Sequence, residues 1–162
     1  MPCWVKEPAT LGSVRGTPTG LDLSTLSTRL LGRIVVFVYR SDLDVADEDW
    51  RAYVQWLKEL QAQLPQIGIL ITSGERTPSS AQRSWATREL NMDTFRIAVL
   101  LSDPKLVAIV RVSAWFMKGI AAFRPNEVEQ ALAFLGEPES GARVRAAISE
   151  LGGVVDTDTA TG

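Results

Sequence analysis

The residues of this chain best suited to binding or chemistry stand in one loop, TSGERTPSS at positions 72–80. The loop follows an apolar run and precedes a helical pattern, and the free N–H groups at the start of a helix attract anions. Loops at the carboxyl ends of parallel strands are also where open α/β sheets bind ligands. The sequence therefore predicts a partner-binding site or a phosphorylation switch with five candidate residues: Arg76, Thr77, Ser79, Ser80 and Arg83.

A structural role also explains the same loop. Thr77 followed by Pro78 is typical of a helix start, with a capping hydroxyl and then proline at the first helical position. The loop is not a phosphate-binding P-loop, because no Gly-Lys-Ser/Thr follows at the required spacing. Phosphorylation of Ser79 or Ser80 would add about two negative charges at a helix N-terminus, where Arg83 stands nearby. Capping and switching both remain open.

A second polar cluster lies between a predicted strand and a predicted helix. It consists of Asp42, Asp44, Asp47, Glu48 and Asp49. A calcium loop needs a glycine at its bend and a distal bidentate glutamate, and this segment has neither. Carboxylates at a helix N-terminus are stabilising without a metal. We therefore expect these residues to serve the helix, and we predict no metal site and no cofactor.

Composition limits the function classes further. The chain has 162 residues, 17 basic and 19 acidic side chains, and 46% apolar residues, which is ordinary for one compact domain. Histidine is absent, which removes Ser-His-Asp and Cys-His catalysis and histidine-based zinc sites. No pair of carboxylates is placed by a catalytic motif either. The sequence therefore indicates a protein without catalytic residues, not an enzyme.

The same counts bear on partners and location. Cys3 is the single cysteine, so no intramolecular disulfide can form, and a reducing cytoplasm is the expected setting. No apolar run approaches the roughly 20 residues of a membrane-spanning helix. The arginines are scattered and the net charge is −2, so the footprint of a nucleic-acid-binding protein is missing.

Apolar runs and helical stripes alternate along the chain, which is typical of an α/β domain with mainly parallel strands. Strands are predicted at residues 21–31, 34–39, 67–71, 95–101 and 120–123, the first two joined by a tight turn at Gly32-Arg33. The first helix is predicted from apolar residues at spacings of three and four that stop at Pro65: Trp50, Tyr53, Val54, Leu57, Leu60 and Leu64.

Four more helices are predicted, three from the residues that start or end them and one from its apolar face. One runs from Thr77-Pro78 to about Leu90, and one from Asp103-Pro104 to near Gly119. The next begins at a capping pair, Asn126 with Glu129, and closes at Gly136. The last has one apolar face formed by Val144, Ala147, Ile148 and Leu151.

These elements divide the chain into three parts. Residues 1–20 are rich in proline and glycine and are predicted to form a flexible N-terminal arm. Residues 21–136 are predicted to form a single α/β domain with a mostly parallel, mixed sheet. Residues 137–162 are predicted to hold the C-terminal helix and a disordered tail. The apolar face of that helix can dock on its own domain or on a second subunit.

From Arg33 to Gly136, about two-thirds of the chain, the order of elements resembles the STAS domain. The resemblance is carried by strand 67–71 running into Thr77-Pro78-Ser79-Ser80, by RIAVLL at 96–101, and by IAAFRPNEVEQALAFLG at 120–136. Family members finish with a short strand containing phenylalanine and an acidic helix containing Ala-Leu. In the anti-sigma-factor antagonists of this family, an Asp-Ser-Ser-Gly-like segment carries a phosphorylatable serine. Pro78 and Ala81 replace its aspartate and glycine here.

The resemblance implies a non-enzymatic regulatory module that binds a protein partner, with a homodimer also possible. Residues 72–83 would form the contact, with Arg76 and Arg83 as its polar anchors. An alternative is a carrier of a lipid or small apolar ligand, since one branch of the family is grouped with lipid-binding folds. Its cavity would lie between the sheet and the helices that carry Trp85 or Trp115. Trp115, Phe116 and Met117 are three bulky residues in succession, and they form either a core crossing or a further contact surface.

Overall fold

The computed structural model of the chain describes residues 16–40, 44–74, 78–113 and 119–153. Within these ranges the strands are β1 (Gly20–Asp22), β2 (Leu26–Leu31), β3 (Ile34–Tyr39), β4 (Ile67–Gly74), β5 (Phe95–Leu101) and β6 (Ile120–Phe123). They form one sheet in the order of the chain, from β1 to β6. The pairings of β1 with β2 and of β2 with β3 are antiparallel, and the other three pairings are parallel. The structure thereby confirms the single α/β domain with a mostly parallel, mixed sheet.

Helices cover both faces of this sheet. They are α1 (Asp47–Gln61), α2 (Ser80–Glu89), α3 (Pro104–Ser113), α4 (Val128–Phe134) and α5 (Gly141–Glu150). Alternate residues of β3 point to opposite faces. Val35 and Phe37 pack with α1 and α2, whereas Val36 and Val38 pack with α4 and α5. The third helix, α3, packs over β5 and β6 on the same face as α1. A strand covered on both faces is apolar throughout, which explains the run IVVFVY.

The first helix follows its predicted stripe. Trp50, Tyr53, Val54, Leu57 and Leu60 are all buried on the sheet side of α1. The turn between β2 and β3 is also confirmed, and Gly32 adopts a φ of 64° there, a conformation that favours glycine.

The amino-terminal part of the fold differs from the prediction. Residues 21–31 were expected to form one strand, but they form β1 and β2, with a turn closed by a hydrogen bond from the Leu23 N–H to the Leu26 carbonyl. Residues 16–20 were expected to belong to a flexible arm, yet they pack on α1. The Trp56 indole N–H donates to the Pro18 carbonyl at 2.7 Å, and Thr17 is buried. These contacts are long-range, so the local composition could not reveal them. Residues 1–15 of the predicted arm lie outside the described residues.

Two helix starts show where capping was predicted correctly and where it was not. The Lys105 N–H donates to the Asp103 carboxylate at 2.8 Å, which confirms Asp103 as the cap of α3. The expected capping pair of Asn126 with Glu129 is wrong. Glu127 occupies the N-cap position of α4, and its carboxylate accepts from the Arg124 N–H instead.

The Glu129 side chain has a different role, because it binds Arg145 of α5. The Arg145 guanidinium donates to the Glu129 carboxylate at 2.6 Å and lowers the pKa of that carboxyl. The predicted end of α4 at Gly136 is confirmed, with a φ of 85°. The two covering helices α4 and α5 are therefore linked by a surface ion pair.

The last helix docks on its own sheet. Val144, Ala147 and Ile148 of α5 are buried against the apolar face that also contains Val36 and Val38. An ion pair between Arg29 of β2 and Glu150 of α5, at 2.8 Å, lies at the rim of this contact.

Two segments that carried predictions lie outside the described residues: the tail, residues 154–162, and the segment from Trp115 to Met117. In the part of the chain that is described, no helix has the length and apolar character needed to cross a bilayer.

Candidate functional site

The site begins with the cap of α2, which is built by a Ser-x-x-Gln pattern. The Ser79 hydroxyl accepts from the Gln82 N–H at 3.1 Å, and the Gln82 side-chain oxygen accepts from the Ser79 N–H at 3.0 Å. This reciprocal capping box satisfies two backbone donors at once. The predicted cap at Thr77 is therefore wrong by two positions, and Pro78 precedes the helix. Residue 80, three positions after Thr77, is a serine and lacks the long acceptor that a capping box requires.

Gln82 also joins α2 to the segment before α1. Its side chain is only 7% exposed, and its amide nitrogen donates to the Val45 carbonyl and to the Asp47 carboxylate, both at 2.9 Å. The Trp50 indole N–H donates to the Gln82 carbonyl at 2.8 Å. Sequence reasoning did not single out Gln82. The Ser-x-x-Gln spacing would have indicated its capping role, but its contacts with α1 depend on the tertiary structure.

A cleft of about 460 Å³ lies between the segment after β3 and the segment after β4. Because β3 and β4 are parallel, the segments that follow them meet at the same edge of the sheet. The lining residues are Asp44, Val45, Asp47, Pro78, Ser79, Ser80, Gln82 and Arg83. One wall thus carries carboxylates, and the other carries hydroxyls and a guanidinium.

Three of the five predicted site residues come together in this cleft. Ser79, Ser80 and Arg83 all line it and are exposed to solvent. The Ser79 hydroxyl is engaged as the cap, whereas no described residue forms a hydrogen bond with the Ser80 side chain. The Arg83 guanidinium donates to the Pro78 carbonyl at 2.6 Å. Arg76 and Thr77 lie outside the described residues.

Behind the cleft lies the aromatic part of the core. Burial raises the pKa of Tyr39, and the positive charge of Arg83 opposes this effect by lowering it. Burial also raises the pKa of Tyr53 strongly, and Tyr39 adds to that shift. Both phenols therefore stay neutral at physiological pH, so the formal charges around the cleft come from its carboxylates and from Arg83.

The acidic cluster serves the fold, as far as the structure describes it. Asp47 accepts from Gln82, as above. Asp49 is buried, and its carboxylate accepts from the Thr25 N–H at 2.9 Å and from the Thr25 hydroxyl at 2.6 Å. The Thr25 hydroxyl in turn accepts from the Ala46 N–H at 3.2 Å. Asp42 lies outside the described residues. Among those described, no three potential metal ligands are grouped together.

A second feature is the sheet face between α2 and α3. Ile71, Ile97 and Val99 belong to the central strands β4 and β5, yet they are only half-buried. Trp85 of α2 is half-buried as well and packs against the edge of the α1 core. The middle of this face is therefore less completely covered than the part under α1.

Comparison with known proteins supports the fold. No protein-family model matches the chain, and no curated protein matches it. A solved structure from Shewanella loihica PV-4 is similar to it, described as an uncharacterised protein of the DUF3478 family with a SpoIIAA-like fold. The identity is 21%, the similarity covers 71% of this chain and 97% of that chain, and the TM-score is 0.51. The chain therefore has a SpoIIAA-like, that is, STAS-like, fold, as the resemblance of residues 33–136 implied.

Proposed function

We propose that this protein is a non-enzymatic regulatory module that binds a protein partner at the cleft beside α2. The observation that carries the proposal is the capped start of α2, which holds Ser80 and Arg83 exposed at the carboxyl edge of the sheet. Loops at this edge are the usual binding position of α/β sheets. The STAS-like fold is compatible with such a regulatory role.

The charges of the cleft favour a protein partner over a small ion with a single sign of charge. Asp47 on one wall and Arg83 on the other present opposite charges within one recess. A recess with both charges orients a partner that carries the opposite charges at matching positions, and arginine is enriched among the residues that dominate binding energy. Arg83 is therefore the proposed polar anchor.

If the module is switched by phosphorylation, the structure favours Ser80 over Ser79 as the modified residue. The Ser79 hydroxyl is already used in the capping box, while the Ser80 side chain points to no described partner. A phosphate on Ser80 would lie in the first turn of α2, where the helix dipole stabilises negative charge. The Arg83 guanidinium follows within the same turn.

Two further parts of the proposal rest on composition. The absence of histidine supports a non-enzymatic role, because the commonest general base is missing. The single cysteine supports a cytoplasmic location, where disulfides are rare. A second copy of this chain is an alternative partner that the capture experiment below would identify.

The test is affinity capture from the native cytoplasm with wild-type protein and charge-reversed variants. Arg83→Glu is expected to weaken binding of a stoichiometric partner at least about tenfold, which corresponds to about 1.4 kcal/mol. Ser80→Trp should weaken it too, because the added ring fills the cleft. The thermal midpoint should change little, since both residues are exposed.

The matched control is Arg143→Glu, which makes the same charge change on the exposed side of α5, across the sheet. Its binding should equal that of the wild type. A partner that binds all variants equally well would contradict the proposed site.

A second candidate function is supported by the half-buried sheet face between α2 and α3. Ile71, Ile97 and Val99 offer an apolar floor, which suits a lipid or another small apolar ligand. Native mass spectrometry of the purified protein would then show a co-purified molecule, and Val99→Trp should remove it by filling the space. A clean mass without a ligand would contradict the carrier function.

A further inference from the structure

We infer that Gln82 is the positioning residue of the cleft, fixing the α2 wall to the α1 wall so that a partner meets both as one rigid surface. The inference rests on the proposed function only in taking the cleft as a partner site. The contacts of Gln82 themselves exist without a partner.

Gln82 takes part in five hydrogen bonds, and three of them cross from the α2 wall to the α1 wall. Of these three, two go from the side-chain amide to Val45 and Asp47, and one is donated by the Trp50 indole to the main-chain carbonyl of Gln82. The other two close the cap of α2 with Ser79. The residue is nearly fully buried, so water does not replace these bonds. The two helix starts are therefore joined through one side chain.

The chemistry of these partners requires an amide. The Val45 carbonyl and the Asp47 carboxylate only accept hydrogen bonds, so they need donors. The Ser79 N–H only donates, so it needs an acceptor. A glutamine side chain supplies two donors and one acceptor in the required places. An ionised glutamate would bring a second carboxylate against Asp47, and an apolar side chain would leave buried polar groups without partners.

This requirement has a consequence for the proposed anchors. Ser80 and Arg83 lie on either side of Gln82 in the first turn of α2, while Asp47 lies in the first turn of α1. Because Gln82 binds the Asp47 carboxylate directly, the width of the cleft is set by that contact. Loss of the contact should loosen the start of α2 while the sheet stays folded.

The experiment compares Gln82→Glu, Gln82→Met and the double variant Gln82→Glu/Asp47→Asn by hydrogen exchange and NMR. In Gln82→Glu at pH 7, the N–H groups of residues 82 and 83 and the Trp50 indole N–H should exchange at least tenfold faster, after correction for intrinsic rates. The double variant should regain most of this protection, because the introduced amide can donate to the introduced carboxylate. Acidification should also restore it in Gln82→Glu, because a protonated carboxyl can again donate to Asp47.

Gln82→Met keeps the volume but removes both donors and the acceptor. It should lose protection in the same way, and adding Asp47→Asn should not restore it. Gln55→Glu, an exposed glutamine of α1, is the matched charge control and should leave the exchange unchanged. Unchanged protection in Gln82→Glu, or a loss that Asp47→Asn does not relieve, would overturn the inference.

The partner assay separates this inference from the proposed function. If a partner binds through Arg83, its affinity should follow the same pattern of loss and rescue. Hydrogen exchange could show the loss in Gln82→Glu and the rescue in the double variant while the affinity for the partner shows neither. That result would overturn the positioning role of Gln82 but leave the partner site intact. If Arg83→Glu weakens binding but Gln82→Glu leaves the exchange unchanged, the partner site is again supported and the positioning role of Gln82 is again overturned.

Discussion

Phe37→Ala is expected to lower the free energy of unfolding by about 3–5 kcal/mol, the usual cost of removing a buried aromatic side chain. Phe37 lies in β3 with no exposed surface, and its ring centre is 4.8 Å from the rings of both Tyr39 and Tyr53. The interplanar angles of 69° and 67° are those of edge-to-face contacts. Its removal takes away both aromatic contacts and leaves a cavity between the sheet and α1.

Urea unfolding followed by tryptophan fluorescence measures this loss. Gln55→Ala, an exposed position on α1, is the control and should stay within about 0.5 kcal/mol of the wild type. A loss below about 1 kcal/mol for Phe37→Ala would mean that α1 does not pack on β3 as described.

Ile148→Ala should cost about 2–5 kcal/mol for a similar reason, on the opposite face of the sheet. Ile148 of α5 has no exposed surface and packs with Val36 and Val38 of β3. The prediction also distinguishes the two docking modes that the sequence left open for this helix. If α5 docks on its own domain, the loss is independent of protein concentration.

The control is Arg143→Ala, an exposed position on α5, with an expected change within about 0.5 kcal/mol. Unfolding curves at two concentrations a hundredfold apart complete the test. A midpoint that rises with concentration would show that the helix is buried by a second subunit instead.

The strands and α1 were predictable because their signals are local. A strand covered on both faces is apolar along its covered length, as are β3, residues 67–71 of β4 and residues 97–101 of β5. The stripe from Trp50 to Leu60 repeats with the helical period because one side of α1 meets the sheet. The alternation of strands and helices also predicted that Ser80 and Arg83 lie at the carboxyl ends of the parallel strands.

One error came from a local competition between two caps, and the others came from contacts with distant residues. Thr77 matched the usual pattern of a cap, but Ser79 has a glutamine at the third following position that can return a hydrogen bond, and this decided the competition. Gln82 was not singled out, because its contacts depend on Val45 and Asp47, which lie 37 and 35 residues away. Residues 16–20 looked unstructured for the same reason, because their contact with Trp56 joins Pro18 to a residue 38 positions away in the chain.

The order of the elements along the chain affects how this protein must be made. The face of β3 that contains Val36 and Val38 is covered by α4 and α5, which come last in the chain among the described helices. The 112 residues from Arg40 to Leu151 take roughly 6 to 22 s to translate at typical rates of about 5–20 residues per second. During that interval an apolar surface of the sheet is exposed on the nascent chain. Its early strands can therefore associate with other chains or with chaperones until translation has passed α5.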